Sequence, residues 1–143
     1  MIHRTIETSS AFIGMIKEDI LCIRFKPNVM LDLEQLSENR RAIFDLIKNR
    51  KVYILSVPYN DTLITKEFRE TFTIGEARDF KKAEAVVITS LAQNLLAKNV
   101  KQRAPLDYPL ETFNDEVKAL QWLGCLKEEE NRIRNISEDA KKD

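Results

Sequence analysis

The chain has 143 residues, with 23 Lys plus Arg against 23 Asp plus Glu, and 43% of it is hydrophobic. That length suits one domain that buries about two thirds of its unfolded surface without a disulfide or metal staple. The zero formal charge provides no long-range field, so composition lends no support to a nucleic-acid or anionic-membrane role. The 2 cysteines, Cys22 and Cys125, exclude a disulfide framework, a Cys-x-x-Cys pair and a Cys-rich zinc site. Both lie in apolar stretches and are expected to be buried thiols, which fits a reducing compartment. The N-terminus lacks the basic-then-apolar order of a signal peptide, and no apolar run approaches the roughly 18 residues of a membrane span. A cytoplasmic protein is expected.

Residues 11–16 are mostly apolar, Lys17-Glu18-Asp19 are polar, and residues 20–25 alternate Leu21, Ile23, Phe25 with Ile20, Cys22, Arg24. That is the period of strands joined by a short turn, an N-terminal hairpin. Asp32 then opens a helix with Gln35 at the capping-box position, and Leu33, Leu36, Ile43, Phe44 and Ile47 form its buried stripe. Residues 52–57, rich in β-branched and apolar side chains and stopped by Pro58, read as a buried parallel strand.

After a turn over residues 60–64, Thr65 is placed to cap a helix carrying Phe68 and Phe72. Gly75 interrupts that helix, and residues 76–82 are expected to resume it. Residues 85–89 form the next buried strand, and Ser90 with Gln93 makes the cleanest capping box, starting a helix with Leu91, Leu95, Leu96 and Val100. Residues 110–113 suit a short edge strand. Asn114 is the expected cap of the last helix, whose apolar side carries Val117, Leu120, Trp122 and Leu123.

Residues 127–143 are almost wholly polar apart from Ile133 and Ile136. The division expected is a domain over 1–126 and a charged tail over 127–143, helical extension or frayed. The order β-β-α-β-α-β-α-β-α predicts an α/β sandwich with a mostly parallel five-stranded sheet, connected right-handedly.

This pattern resembles the STAS domains, the SpoIIAA-like fold, and a branch of small bacterial STAS/SEC14-like proteins. The residues that carry the resemblance are 83–88, 90–96 and 109–116, leading into Ala119-Leu120-Gln121-Trp122-Leu123. The resemblance implies a regulatory, partner-binding module. In regulatory STAS proteins a kinase phosphorylates a hydroxyl at the helix start after the third strand. The matching stretch here is Leu63-Ile64-Thr65-Lys66-Glu67, where the Asp before and the Gly after the switch residue are missing. The phosphoswitch does not carry over.

No catalytic constellation is present. His3 is the sole histidine and has no nucleophile to serve. The carboxylate pairs lie in the tail, and the 3 glycines build no phosphate loop. No cofactor, metal or enzymatic activity is expected.

The candidate partner-binding residues are Asp61, Thr62, Thr65, Lys66, Thr89 and Ser90. Thr89 and Ser90 lie where open α/β sheets bind ligands, beside a helix N-terminus. The alternative is a carrier or sensor of a small apolar or lipid-like ligand, with Phe68 and Phe72 lining its pocket and Lys98 or Lys101 meeting a headgroup. Trp122, Ile133 and Ile136 are candidate contacts for a homodimer. The expected partners are therefore an unidentified protein, a small apolar ligand or a second copy, with no nucleic acid and no integral membrane association.

Overall fold

The computed structural model describes residues 4–59, 61–67, 80–91, 93–95, 98 and 108–141. The alternating runs of the sequence become strands β1 (Thr5–Glu7), β2 (Ala11–Lys17), β3 (Ile20–Phe25), β5 (Val52–Val57), β7 (Lys81–Val87) and β8 (Leu110–Phe113). They join in one six-stranded sheet in the order β1-β2-β3-β5-β7-β8. β1, β2 and β3 are antiparallel to one another, and β3, β5, β7 and β8 are parallel. Two residues each of β4 (Met30–Leu31) and β6 (Leu63–Ile64) make a second, parallel ladder.

The α/β architecture and the mostly parallel sheet are as expected, with one strand more than expected. β1 pairs Thr5 with Gly14 and Glu7 with Phe12. A Cβ on Gly14 would lie 2.8 Å from Thr5 Oγ1, so the missing side chain is what lets this strand come close.

Helix α1 (Leu33–Ile47) starts where the capping box placed it: Asp32 Oδ1 accepts the Gln35 N–H at 2.9 Å. It buries Ala42, Ile43 and Ile47 against Ile13, Leu21, Val52 and Ile54 on one face of the sheet. A polar corner locks its middle, where Thr8 and Ser10 hydrogen-bond to buried Asn39 at 2.6 and 2.9 Å.

Helix α2 (Glu116–Lys141) covers the other face, burying Ala119 and Leu123 against Ile20, Cys22, Tyr53, Leu55, Ala83 and Ala85. Its cap is Asp115, not Asn114: Asp115 Oδ1 accepts the N–H groups of Val117 and Lys118 at 2.7 and 3.1 Å. The two adjacent residues are both good caps, and the side chain one step nearer the first turn reaches its free donors.

Residues 76–82 do not read as one helical piece. Lys81 and Lys82 belong to β7, Phe80 is buried, and residues 76–79 lie outside the described residues. The polar segment after residue 126 continues α2 without a break to Lys141.

Candidate functional site

All four parallel strands point their C-terminal ends the same way, and two loops meet there. The first runs over residues 59–66. Asn28, in the left-handed region at φ 60°, donates its N–H to Asp61 Oδ2 at 3.1 Å. Thr62 Oγ1 accepts the Tyr59 N–H at 2.9 Å. The Leu63 and Thr65 N–H groups donate to the Val29 and Leu31 carbonyls at 3.2 and 2.9 Å, which seats β6 beside β4. A helical turn opens at Lys66, directly after Thr65.

The second segment follows β7. Ser90 Oγ accepts the Gln93 N–H at 3.2 Å, and the Ser90 carbonyl accepts the Asn94 N–H at 3.1 Å. The Gln93 side chain turns away from the reciprocal half of a capping box, and its Nε2 donates to the Tyr59 carbonyl. One hydrogen bond therefore ties the 59–66 loop to the Ser90 helix start. Asp61, Thr62, Thr65 and Lys66 sit on one side of that tie, and Thr89 and Ser90 on the other.

Between the ends of β7 and β8 lies an open cleft of about 490 Å³, lined in part by Thr89, Ser90, Asn94, Thr112, Phe113 and Asn114. Its floor is held by the Ile88 N–H donating to the Phe113 carbonyl at 2.7 Å. Phe113 in turn packs against Trp122, with ring centroids 5.6 Å apart. The lining is mainly hydroxyl and amide.

Around this edge the sequence reading missed an apolar surface. Met30, Tyr59, Leu63, Leu91 and Leu95 are 51–74% exposed. Met30 and Leu63 are register partners across the β4–β6 ladder, so their side chains stand on one face. Leu91 and Leu95, carried by the helix that Ser90 starts, stand exposed on the segment that Gln93 joins to Tyr59. Periodicity signals a stripe but not what it faces, so nothing local in the sequence marks these side chains as uncovered.

Of the other pocket candidates, Phe68, Phe72 and Lys101 lie outside the described residues, and Lys98 is exposed. A different cleft, of about 500 Å³, lies beside the end of α1 and is lined by Phe44, Lys48, Asn49, Arg50 and Phe80. Phe44 and Phe80 meet edge to face there, 5.6 Å apart.

The opposite, N-terminal edge of the parallel strands is closed by charge. Glu130 of α2 accepts from Lys82 Nζ at 2.7 Å and from the Tyr53 hydroxyl, and Arg134 approaches it at 3.4 Å. The Lys82 and Tyr53 hydrogen bonds hold the Glu130 carboxyl below its usual range. Burial, reinforced by the bond to Glu130, pushes the Tyr53 phenol above its own. Asp19 meets Arg50 and Lys127 at 3.5 and 3.6 Å.

Within β7, Lys81 Nζ and Glu84 Oε1 are 2.6 Å apart with side chains only 5% and 4% exposed. Cys22 is buried, which raises its thiol pKa, and Cys125 is exposed. Among the described residues no group of three His, Cys, Asp or Glu could hold a metal ion. No helix among them is long and apolar enough to cross a membrane.

These features define an α/β domain with a mostly parallel sheet, an apolar and hydroxyl-bearing C-terminal strand edge, and a charge-closed N-terminal edge. The chain belongs to the DUF7793 family, a domain of unknown function, whose model matches residues 14–127. No curated protein sequence matches it. Among solved structures it is similar to an uncharacterized protein of the DUF3478 family with a SpoIIAA-like fold from Shewanella loihica PV-4. The identity is 16% and the TM-score 0.49, over 85% of this chain and 92% of that one.

Proposed function

We propose that the protein is a non-enzymatic, STAS-like binding module that recognises a protein partner with the C-terminal edge of its parallel strands. The observation that carries this reading is the set of five exposed apolar side chains, Met30, Tyr59, Leu63, Leu91 and Leu95, on three segments joined by the β4–β6 ladder and the Gln93–Tyr59 hydrogen bond. Exposed apolar groups gathered on one region and rimmed by polar residues favour protein contact. Asp61, Thr62, Thr65, Lys66, Thr89 and Ser90 form that polar rim. They supply hydrogen-bonding direction, and the apolar groups supply area.

The test is affinity capture from the native cell with the unaltered protein and with Leu63→Asp/Leu91→Asp, whose changes fall on exposed positions. A partner recovered by the first and lost by the second, with unchanged circular dichroism, supports the surface. Thr65→Glu is expected to weaken the same capture. Identical recovery by all three proteins removes the site.

The second reading, a carrier of a small apolar or lipid-like ligand, has in its favour the cleft floored by Phe44 and Phe80 and edged by Lys48 and Arg50. Aromatic walls beside cations suit an apolar body with an anionic head. Native mass spectrometry of protein purified from its own host decides for it if a bound mass is present and is lost in Phe80→Ser. A bare protein decides against it.

A further inference from the structure

Helix α2 is longer than the sheet it covers. Its 26 residues span about 39 Å at 1.5 Å per residue. The parallel strands of 4–7 residues reach only about 13–23 Å. The last contact with the sheet edge is Glu130 on Lys82 and Tyr53, and every described residue from 131 to 141 is exposed. About 16 Å of helix therefore extends past the described residues of the sheet.

The overhang is not polar all round. Leu126 packs against the core under α2, and Ile133, seven residues on, continues the same line of the helix beyond the sheet. Ile136 lies one turn further, and both are more than half exposed, at 55% and 56%. An apolar line that outlasts its sheet has been left without the surface it faced.

The charges identify what covers it. Along the segment they run acidic at 128–130, basic at Arg132 and Arg134, acidic at Glu138 and Asp139, and basic at Lys141. Laid parallel on a second copy, like charges coincide at every position. Laid antiparallel about a two-fold between Ile133 and Ile136, Arg132 of each copy approaches Asp139 of the other, and Lys141 approaches the acidic block. The same turn sets Ile133 of one copy on Ile136 of its partner.

We propose that the overhanging end of α2 pairs antiparallel with the same segment of a second copy, making a two-fold dimer through Ile133, Ile136, Arg132 and Asp139. The Arg132–Glu129 bond within each helix and the contact Asp139 already makes lie on the exposed surface and yield or are shared when the copies meet. Two such helix ends bury on the order of 800 Å², below the roughly 1,200 Å² of stable specific interfaces and in the range of weak, transient ones. The dimer is therefore concentration-dependent rather than permanent, and closed by symmetry.

Sedimentation across a wide concentration range tests this on the full chain. The mass is expected to rise from 16.6 kDa toward twice that value, less readily at high salt. Arg132→Glu alone and Asp139→Arg alone each turn two attractive pairs repulsive and are expected to weaken dimerisation about tenfold or more. The double exchange restores it. Residues 132 and 139 are two turns apart on one helix, too far to compensate within a single copy, so rescue reports contact between copies. Ile133→Asp abolishes the dimer while leaving the Trp122 fluorescence melt unchanged. A monomer at every concentration overturns the proposal. So does a dimer indifferent to Ile133→Asp, or charge reversals that the double exchange does not rescue.

Discussion

Lys81 and Glu84 provide the sharpest stability test, because they set a buried charge against a buried charge. Val52 pairs with Lys81 but Tyr53 pairs with Ala83, so Lys82 is an extra residue in β7. That bulge puts Lys81 and Glu84 on the same face of the strand, where plain alternation would separate them. At 2.6 Å and an effective dielectric near 20, the pair attracts by about 6 kcal/mol. Removing both ions from water costs several kcal/mol each, so the intact pair is close to break-even against an apolar replacement. Its members are worth far more to each other than the pair is to the fold.

Glu84→Gln removes the carboxylate 2.6 Å from the Lys81 ammonium, which lies beside the rings of Phe80 and Tyr108, with centroids 5.8 and 5.4 Å from Nζ. The expected loss is about 3–5 kcal/mol, a third or more of a typical domain's stability. Lys81→Met is expected to cost a similar amount, and Lys81→Met/Glu84→Leu to recover most of it. Urea unfolding followed by Trp122, the single tryptophan, is the assay. At a slope of about 2 kcal/mol/M, each single variant shifts the midpoint down by about 2 M. Additive single losses in the double variant, or single losses below about 1 kcal/mol, refute a coupled and dehydrated pair.

Two further outcomes follow from local chemistry. Asp115→Ala removes the acceptor for two N–H groups at the start of α2 and is expected to cost about 1 kcal/mol, with Asn recovering part of it, read in the same urea unfolding. The Glu130 clasp has pH limits on both sides. The Glu130 carboxyl is lowered in the fold, so its contribution is present above the unfolded value and is lost as pH falls below it. The Tyr53 phenol is raised, so its contribution holds up to the unfolded value and is lost as pH climbs beyond. Stability measured against pH is expected to fall at both limits, and Tyr53→Phe to reduce the alkaline fall to the share of the buried Cys22 thiol while leaving the acid one.

What the sequence made legible follows from how local each signal is. The start of α1 needs only Asp32 and Gln35, and the hairpin and the strand Val52–Val57 need only alternation and a terminating Pro58, so these elements stand as read. β1 needs Gly14, nine residues away from its partner Thr5, to admit it, and no window around Thr5–Glu7 carries that information. Sequence alone reads Lys81 and Lys82 into a resumed helix over 76–82, since the bulge that buries Lys81 depends on the register with β5. The candidate loop residues stand out because Thr65 lies in the stretch that matches the regulatory STAS switch and Thr89 and Ser90 end a parallel strand. The apolar side chains beside them were missed because exposure is a property of what fails to arrive from elsewhere in the chain. The length of α2 was open for the same reason: a polar tail is compatible with helix or coil until Glu130 is seen to be held by Lys82 and Tyr53.

The two edges of the parallel strands have been given opposite chemistry, and the difference bears on how the domain could be read by partners. The N-terminal edge is tied by Asp19, Arg50, Lys82, Lys127 and Glu130, whose oppositely charged groups meet within 2.7–3.6 Å. Such pairs orient segments but add little stability where exposed. Their effect is to hold α2 in line, so that the segment beyond Glu130 leaves the domain in one direction. At the C-terminal edge Arg24 bridges to Glu116 at 2.7 Å, and the Asp61, Thr62, Ser90 and Gln93 side chains bond to main-chain groups while apolar side chains stand outward. A partner docking on that edge and a second copy pairing with the overhang would meet opposite ends of the same helix. Neither contact excludes the other, so Leu63→Asp/Leu91→Asp should leave the mass unchanged and Ile133→Asp should leave partner capture unchanged. If either variant disturbs both, the two ends are coupled through α2, and the rigid separation argued from the Glu130 clasp is wrong.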